Sequence, residues 1–525
     1  MQDRLARAAP FVVTALATAV SVVGVTLGSH VASGADAYGY VSQARLMRHG
    51  TLQQTERLVR TADWPDAAES LAPLGYRPAV GGFTNVPTYA PGLPLLMAAA
   101  ALVAGPCMVY GVVPLAAALL VLLTYRLARC VADPAVAVAA AILLATSPVF
   151  LFMTLWPMSD VPAAACWIAA MLCAASTERW RPLATAALTA LAILIRPNLV
   201  HLAAVPAGIS LYMSSRVSRA ATGRAAVLLA AGLASAIAVV LALNRTLYGS
   251  PVASGYGAVS GLYAMSRIGR NAALHASWLQ QSQGLYLTAA VAGLIVHLRR
   301  GFSDLLVWGG LFAVLLWAAY LPYHTYTEWW YLRFLLPALP VVFVLAADGV
   351  AAVAGLAGQT VRAVALAIFV AAASTHAIHF ALANGVFAIG EQEQRFVEVA
   401  AFVATALPAD AVLISGEHSG SIRYYSGRET IRYDRMRGTA LDAAVRSLSW
   451  QHLHVYAVLD RLEEPGFRAR FGGQAALARL ADLPMATLDS PVPVDVFDFA
   501  PVAADAVATR RIAHLPRSKC FEPDD

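Results

Sequence analysis

The chain has 525 residues, 59% of them hydrophobic and only 13% charged, with a mean hydropathy of +0.62. Soluble globular domains carry about 25% charged residues, so the composition excludes an ordinary soluble enzyme and points to many membrane spans. The net charge of +6 is almost wholly arginine, since Lys519 is the only lysine. No basic stripe is interleaved with aromatics, so the charge reads as loop anchoring at a membrane surface and excludes nucleic acid as a partner.

The first apolar run, residues 11–28, has Arg4 and Arg7 on its near side. It is longer than the apolar region of about 7–15 residues in a signal peptide, so an uncleaved first span is predicted. Further spans are predicted at 109–125, 135–153, 161–175, 182–195, 198–213, 225–243, 284–298, 304–322, 334–348 and 362–383. The run 91–105, opening Pro91-Gly92-Leu93-Pro94, is marginal for a hydrocarbon core about 30 Å thick. Charge decides its status. If it does not cross, Arg126, Arg129, Arg179, Arg181, Arg216, Arg219, Arg224, Arg299, Arg300 and Arg362 all fall on the cytoplasmic side; if it does, all fall outside. The positive-inside rule favours the first arrangement. The run 91–105 is therefore predicted to be re-entrant or interfacial, within a first outer loop spanning 29–108. The predicted outer loop 245–283, with Arg245, Arg267 and Arg270, breaks the rule.

The expected architecture is an α-helical polytopic membrane protein of about 11 transmembrane helices, residues 1–383. A small extracytoplasmic α/β domain, 384–525, follows it. The N-terminus is expected in the cytoplasm, and a bacterial-type plasma (inner) membrane is the expected location. In the tail, strands are expected at 411–415, 455–460 and 494–499, and helices at 391–406, 440–449 and 465–481. Cys107, Cys130, Cys166 and Cys173 lie in or beside apolar segments and read as small hydrophobes. Cys520 stands alone in the tail, so no disulfide forms within it.

The chemically unusual residues gather on the predicted outer face. Asp36, just past the first span in Gly34-Ala35-Asp36-Ala37-Tyr38-Gly39-Tyr40, reads either as a helix N-cap or as a general base at the membrane interface. Asp160, in Met158-Ser159-Asp160-Val161-Pro162, reads as part of a cap before a proline-containing first turn. Its alternative is a second carboxylate that orients an acceptor or binds a cation. Arg196, in Ile195-Arg196-Pro197, is an anchor that snorkels to the interface or a site residue. Arg333, on an outward span end beside Trp329, Trp330 and Tyr331, is either an aromatic-belt anchor or a guanidinium that grips phosphate bidentately. Thr84–Gly92 reads as a rigid turn. No Cys/His cluster points to zinc; Asp36 and Asp160 leave a divalent cation open, though no ligand spacing demands one.

Asp36-x-Tyr38, Tyr89-Ala90-Pro91-Gly92-Leu93-Pro94, Ser159-Asp160-Val161-Pro162, Ile195-Arg196-Pro197 and Arg333 with its prolines occur in an order that resembles the GT-C class of glycosyltransferases. Within that class the chain is similar to the protein O-mannosyltransferase and lipid A aminoarabinose transferase group. The resemblance covers residues 1–383. It implies inverting transfer of a sugar from a polyprenyl-phosphate donor to a hydroxyl on the outer face, the acceptor being a protein, a glycan or a lipid. It also implies Asp36 and Asp160 as catalytic residues, and Tyr38, Tyr89, Arg196 and Arg333 as substrate-binding residues. Many members carry an Asp-Glu pair where this chain has Asp36-Ala37. Some carry a phosphate-binding lysine where this chain has Thr84, Asn85 and Thr88. One carboxylate suffices for the chemistry, because a phosphate leaving group needs no general acid, whereas a glycosidase needs two. A polytopic transporter or lipid flippase is the alternative, disfavoured by the scarcity of charges within the spans. A membrane-anchored scaffold is a third class.

Overall fold

The computed structural model describes residues 2–176, 178–301, 303–480, 484–499, 510–513 and 520. Every segment expected to span is helical. Lipid offers the backbone no hydrogen-bond partners, so a helix is what an isolated apolar run must form. The helices of the bundle are Gln2–Leu27, Val112–Arg129, Pro134–Thr146 with Pro148–Thr154, Asp160–Ala174, Arg181–Ile195, Ala204–Ser215, Arg219–Tyr248, Ile268–Arg300, Asp304–Tyr320, Leu339–Ala354 and Gln359–Ala383. Among the described residues, five helical segments are long and apolar enough to cross a membrane, or six if one bent pair counts as a single span. The chain is a multi-pass membrane protein.

Local chemistry sets the helix ends. Asp133 caps Pro134–Thr146 by accepting from the amides of Ala135 (2.9 Å) and Val136 (3.2 Å), with proline in the first turn. That helix breaks by 61° at Ser147. Pro148 forces Ser147 into an extended conformation (ψ 126°) and brings no amide hydrogen of its own. The helix Ile268–Arg300 is also kinked, at Gln283, whose side-chain amide donates to Ser147 Oγ at 2.8 Å. One hydrogen bond thus joins the two irregularities inside the bundle. The expected outer loop 245–283 is shorter than predicted. Regular helix resumes at Ile268, because the polar residues Arg270, Asn271 and His275 still leave Ala272, Ala273 and Leu274 with good helix propensity.

The segment 91–105 forms the helix Gly92–Ala104, roughly 20 Å long at 1.5 Å per residue and too short to cross alone. The first loop also holds a small antiparallel sheet of β1 (Gln54–Thr55), β2 (Tyr76–Pro78) and β3 (Thr84–Pro87), in the order β1-β3-β2. Part of the expected rigid turn is therefore a strand.

The C-terminal part folds as α/β. Strands β4 (Ala411–Ser415), β5 (Glu429–Arg432), β6 (His454–Asp460), β7 (Ala486–Leu488), β8 (Val494–Asp498) and β9 (Arg510–Arg511) form one sheet, ordered β5-β4-β6-β8-β7-β9. The β4/β5 and β4/β6 pairs are parallel, whereas β8 is antiparallel to both β6 and β7. Three strands were expected. The short β5, β7 and β9 carry too few residues for an alternating pattern. Residue 481 of the expected helix 465–481 lies outside the described residues, as do 482–483, 500–509, 514–519 and 521–525.

This sheet is built onto the first loop. Leu58, Trp64 and Leu71 share one hydrophobic cluster with Val412, Ile414 and Leu448. Buried Glu56 pairs with Arg423 at 2.6 Å and accepts from Asn85 at 3.1 Å; Arg423 also pairs with Glu429 at 2.8 Å. Tyr425 accepts from the Ala32 amide at 2.7 Å, four residues before Asp36. A disulfide joins Cys107 to Cys520. The expectation that Cys107 is a small hydrophobe is corrected: its partner lies 413 residues away in sequence, where no spacing pattern shows it.

Cys107→Ser is expected to cost about 2–4 kcal/mol of stability, because the bond closes a long loop. It should also make the C-terminal part more protease-sensitive. Peptide mapping of protein purified without reductant should recover the Cys107–Cys520 crosslink; free thiols at both positions would contradict it.

Candidate active site

Asp36 is the first residue of the helix Asp36–Arg48, and its side chain caps nothing. Its carboxylate is held from two sides. Tyr89 donates its hydroxyl to Oδ1 at 2.6 Å, and both terminal nitrogens of Arg333 donate to Oδ2 at 3.1 Å. Tyr89 reaches Asp36 by lying across Gly39, where a Cβ would stand 2.2 Å from the tyrosine ring. Any larger residue there would push the ring off the helix. Desolvation, ahead of the Asp36 charge, raises the Tyr89 hydroxyl well above its ordinary value. It stays a proton donor to the carboxylate.

A second ion pair lies alongside. Arg196 Nη2 is 2.8 Å from Asp160 Oδ1, and the Asp160 side chain is fully buried. Arg196 Nε donates to Ser159 Oγ (3.1 Å) and Nη1 donates to the Tyr320 hydroxyl (3.1 Å). Ser159 also accepts from Tyr40 at 2.9 Å. Tyr40 lies one turn beyond Asp36 on the same helix, so a single hydroxyl ties the Asp36 helix to the Asp160–Arg196 pair. Neither Ser159 nor Asp160 caps the helix Asp160–Ala174 through its side chain.

Phe334 separates the two cations. Arg196 lies 5.7 Å and Arg333 5.4 Å from its ring centroid, within range of a cation–π contact. The Tyr320 ring stacks on Phe334 at 4.6 Å, and Asn198 donates to the Tyr320 hydroxyl at 3.1 Å. Two guanidiniums and two carboxylates thus gather around one aromatic ring. Arg333 Nε is buried and has no hydrogen-bond partner among the described residues.

The structure brings together five of the six residues singled out in the sequence: Asp36, Tyr89, Arg333, Asp160 and Arg196. It does not bring Tyr38. That side chain is buried on the far side of the helix, 5.4 Å from the Tyr76 ring centroid, and lies against Gly420 of the C-terminal part. A helix turns about 100° per residue, so two steps carry the Tyr38 side chain, expected to bind substrate, away from the Asp36 carboxylate. The same periodicity points to Tyr40. Tyr320, Asn198 and Phe334 were also missed; they look like ordinary span-end residues, and only their contacts mark them. Thr84, Asn85 and Thr88 are not in this network, since Asn85 is committed to Glu56 and Thr88 to the Gly75 carbonyl. Asp36 and Asp160 each face a guanidinium, and among the described residues no three His, Cys, Asp or Glu side chains gather as metal ligands.

No protein-family model and no curated protein sequence matches the chain. Solved structures do match it. ArnT from Cupriavidus metallidurans, solved bound to undecaprenyl phosphate, aligns with a TM-score of 0.53 at 14% identity, over 93% of this chain and 98% of its own. The Archaeoglobus fulgidus oligosaccharyltransferase, tethered to an acceptor peptide, aligns at 0.53 and 13% identity, over 88% of this chain and 71% of its own. AglB from the same organism, in complex with an inhibitory peptide and a dolichol-phosphate, aligns at 0.53 and 12%, over 87% and 70%.

Arg196→Met, which strands the buried Asp160 charge, is expected to cost about 3–5 kcal/mol. Asp160→Leu combined with Arg196→Met should recover most of it in thermal unfolding in detergent. Strictly additive losses would contradict the pairing. The GT-C expectation is met at the level of architecture: the chain shares the GT-C fold of these solved structures.

Proposed function

We propose that the chain is a membrane glycosyltransferase that moves a sugar from a polyprenyl-phosphate donor to an acceptor hydroxyl on the extracytoplasmic face, with inversion. The observation that carries this reading is Asp36, held between Tyr89 at 2.6 Å and Arg333 at 3.1 Å in a chain with the GT-C fold. Solved structures that share this fold hold undecaprenyl phosphate in one case and a dolichol-phosphate in another.

Arg333 is the cation for the donor phosphate. Its two terminal nitrogens suit a bidentate grip, and its unpartnered Nε adds a third donor. Asp36 neutralises it. When phosphate takes Arg333, the Asp36 carboxylate is released from its ion pair. Asp36 then accepts the proton of the acceptor hydroxyl, whose oxygen forms a bond to the anomeric carbon from the face opposite the phosphate. The bond from that carbon to the phosphate oxygen breaks with its electron pair, and polyprenyl phosphate departs as an anion. Arg196 lies beside this developing charge and stabilises it. Asp160, being fully buried, balances and orients Arg196 without touching substrate.

The orientation follows the same reading: eleven spans, N-terminus cytoplasmic, first loop and C-terminal part outside, in a plasma membrane. The placement of the short-loop arginines supports it. The Cys107–Cys520 disulfide supports it independently, because such bonds persist in oxidising, extracytoplasmic compartments.

The test is incubation of membranes containing the protein with radiolabelled polyprenyl-phosphate sugars. Asp36→Asn should lower turnover by about 10²–10⁴-fold, as loss of a general base does, with expression intact. Arg333→Ala should raise the donor KM by roughly 10–100-fold, the worth of a charged hydrogen-bonded contact. Unchanged turnover in the first variant would remove Asp36 from the mechanism.

A further inference from the structure

Residues 249–264, between the helices Arg219–Tyr248 and Ile268–Arg300, contain the sequence Ser254-Gly255-Tyr256-Gly257. Ser254 and Gly257 form an antiparallel bridge, with the Gly257 amide donating to the Ser254 carbonyl at 3.0 Å and Ser254 Oγ donating to the Gly257 carbonyl at 3.0 Å. Gly257 has φ +89°, which only glycine adopts without strain. Gly255 lies so close to the first loop that a Cβ would stand 2.1 Å from the Thr88 carbonyl oxygen. The turn is also pinned from outside. Arg77 donates to the Ser254 carbonyl at 3.1 Å, and Tyr248 donates to the Pro87 carbonyl at 2.7 Å.

What this construction delivers is one side chain. Tyr256 meets the Tyr89 ring edge-on, with centroids 5.7 Å apart and an interplanar angle of 89°. Tyr89 is the residue that donates to Asp36. Tyr256 is nevertheless 51% exposed, and its hydroxyl has no hydrogen-bond partner among the described residues. A rigid turn, two glycines without alternatives and a solvent-facing aromatic ring beside the candidate base make poor sense as packing. They make good sense as a wall for a ligand. A sugar ring offers an apolar C–H face and a rim of hydroxyls; a tyrosine offers an apolar face and one hydroxyl. With an ordinary value of about 10, a tyrosine hydroxyl is a neutral donor near pH 7.

We propose that Tyr256 is a specificity residue: its ring packs against the sugar carried by the donor, and its hydroxyl donates to a sugar oxygen. The proposal rests on the glycosyltransferase reading above. It differs in assigning the sugar, and not the carrier phosphate, to this turn.

The experiment measures binding of bare undecaprenyl phosphate and of undecaprenyl-phosphate glucose, mannose and arabinose to purified wild type, Tyr256→Ala and Tyr256→Phe. Wild type should bind one sugar-bearing lipid more tightly than the bare carrier. Tyr256→Ala should weaken that lipid by about ten-fold and leave the bare carrier unchanged. Tyr256→Phe should recover most of the loss, since the ring remains. Equal weakening of bare and sugar-bearing lipid by Tyr256→Ala, or no weakening of either, overturns the assignment while leaving the glycosyltransferase reading intact. A wild type that binds none of the four lipids overturns both.

Discussion

Two carboxylates and two guanidiniums cannot sit at the mouth of an apolar bundle unless they neutralise one another. An isolated buried charge costs several kcal/mol even after relaxation, and that cost falls only with close pairing and hydrogen bonds to the remaining polar atoms. The Asp36–Arg333 and Asp160–Arg196 pairs supply the close pairing, and the surrounding architecture hydrogen-bonds several of their remaining polar atoms. The Asp36 helix supplies Tyr40 to Ser159; the first loop supplies Tyr89 to Asp36; the helix Asp304–Tyr320 supplies the hydroxyl that accepts from Arg196. The pairs differ in one respect. Asp160 is sealed, whereas the Asp36 side chain is 30% exposed. The open pair is therefore the one able to exchange partners with an incoming anion, and the sealed pair is the fixed reference beside it.

The C-terminal sheet bears on the site through the first loop. Glu56, Arg423 and Glu429 form a buried ionic knot, which is weak warrant for stability but defines one way for the surfaces to meet. Tyr38 packs against Gly420 from the face of the Asp36 helix opposite the carboxylate. The same helix is thus gripped on one side by the C-terminal part and presents its acid on the other. That division gives the α/β part a physical role in holding the candidate base still, whatever else it does.

Charge and hydropathy made much of this legible. Arg196 and Arg333 interrupt apolar runs, which costs enough to demand a reason, and each pairs with a site carboxylate. Asp36 was visible because it follows the first span. Which charge meets which was not legible: Asp36 and Arg333 are 297 residues apart, and no local pattern links them. Tyr38 comes with the Asp36-x-Tyr38 pattern of the resemblance, where helical periodicity favours Tyr40. The strands β1, β5, β7 and β9 are too short to show alternation. Tyr256 sits in a stretch that read only as loop, and the glycines on either side acquire meaning only once Thr88 is seen against Gly255.

The most direct measurement is a structure of the chain bound to undecaprenyl phosphate. Arg333 is expected to leave Asp36 and grip the phosphate, while Asp36 keeps its hydrogen bond from Tyr89. A phosphate seated elsewhere, with Arg333 still forked onto Asp36, would contradict the exchange of partners on which the proposed chemistry depends.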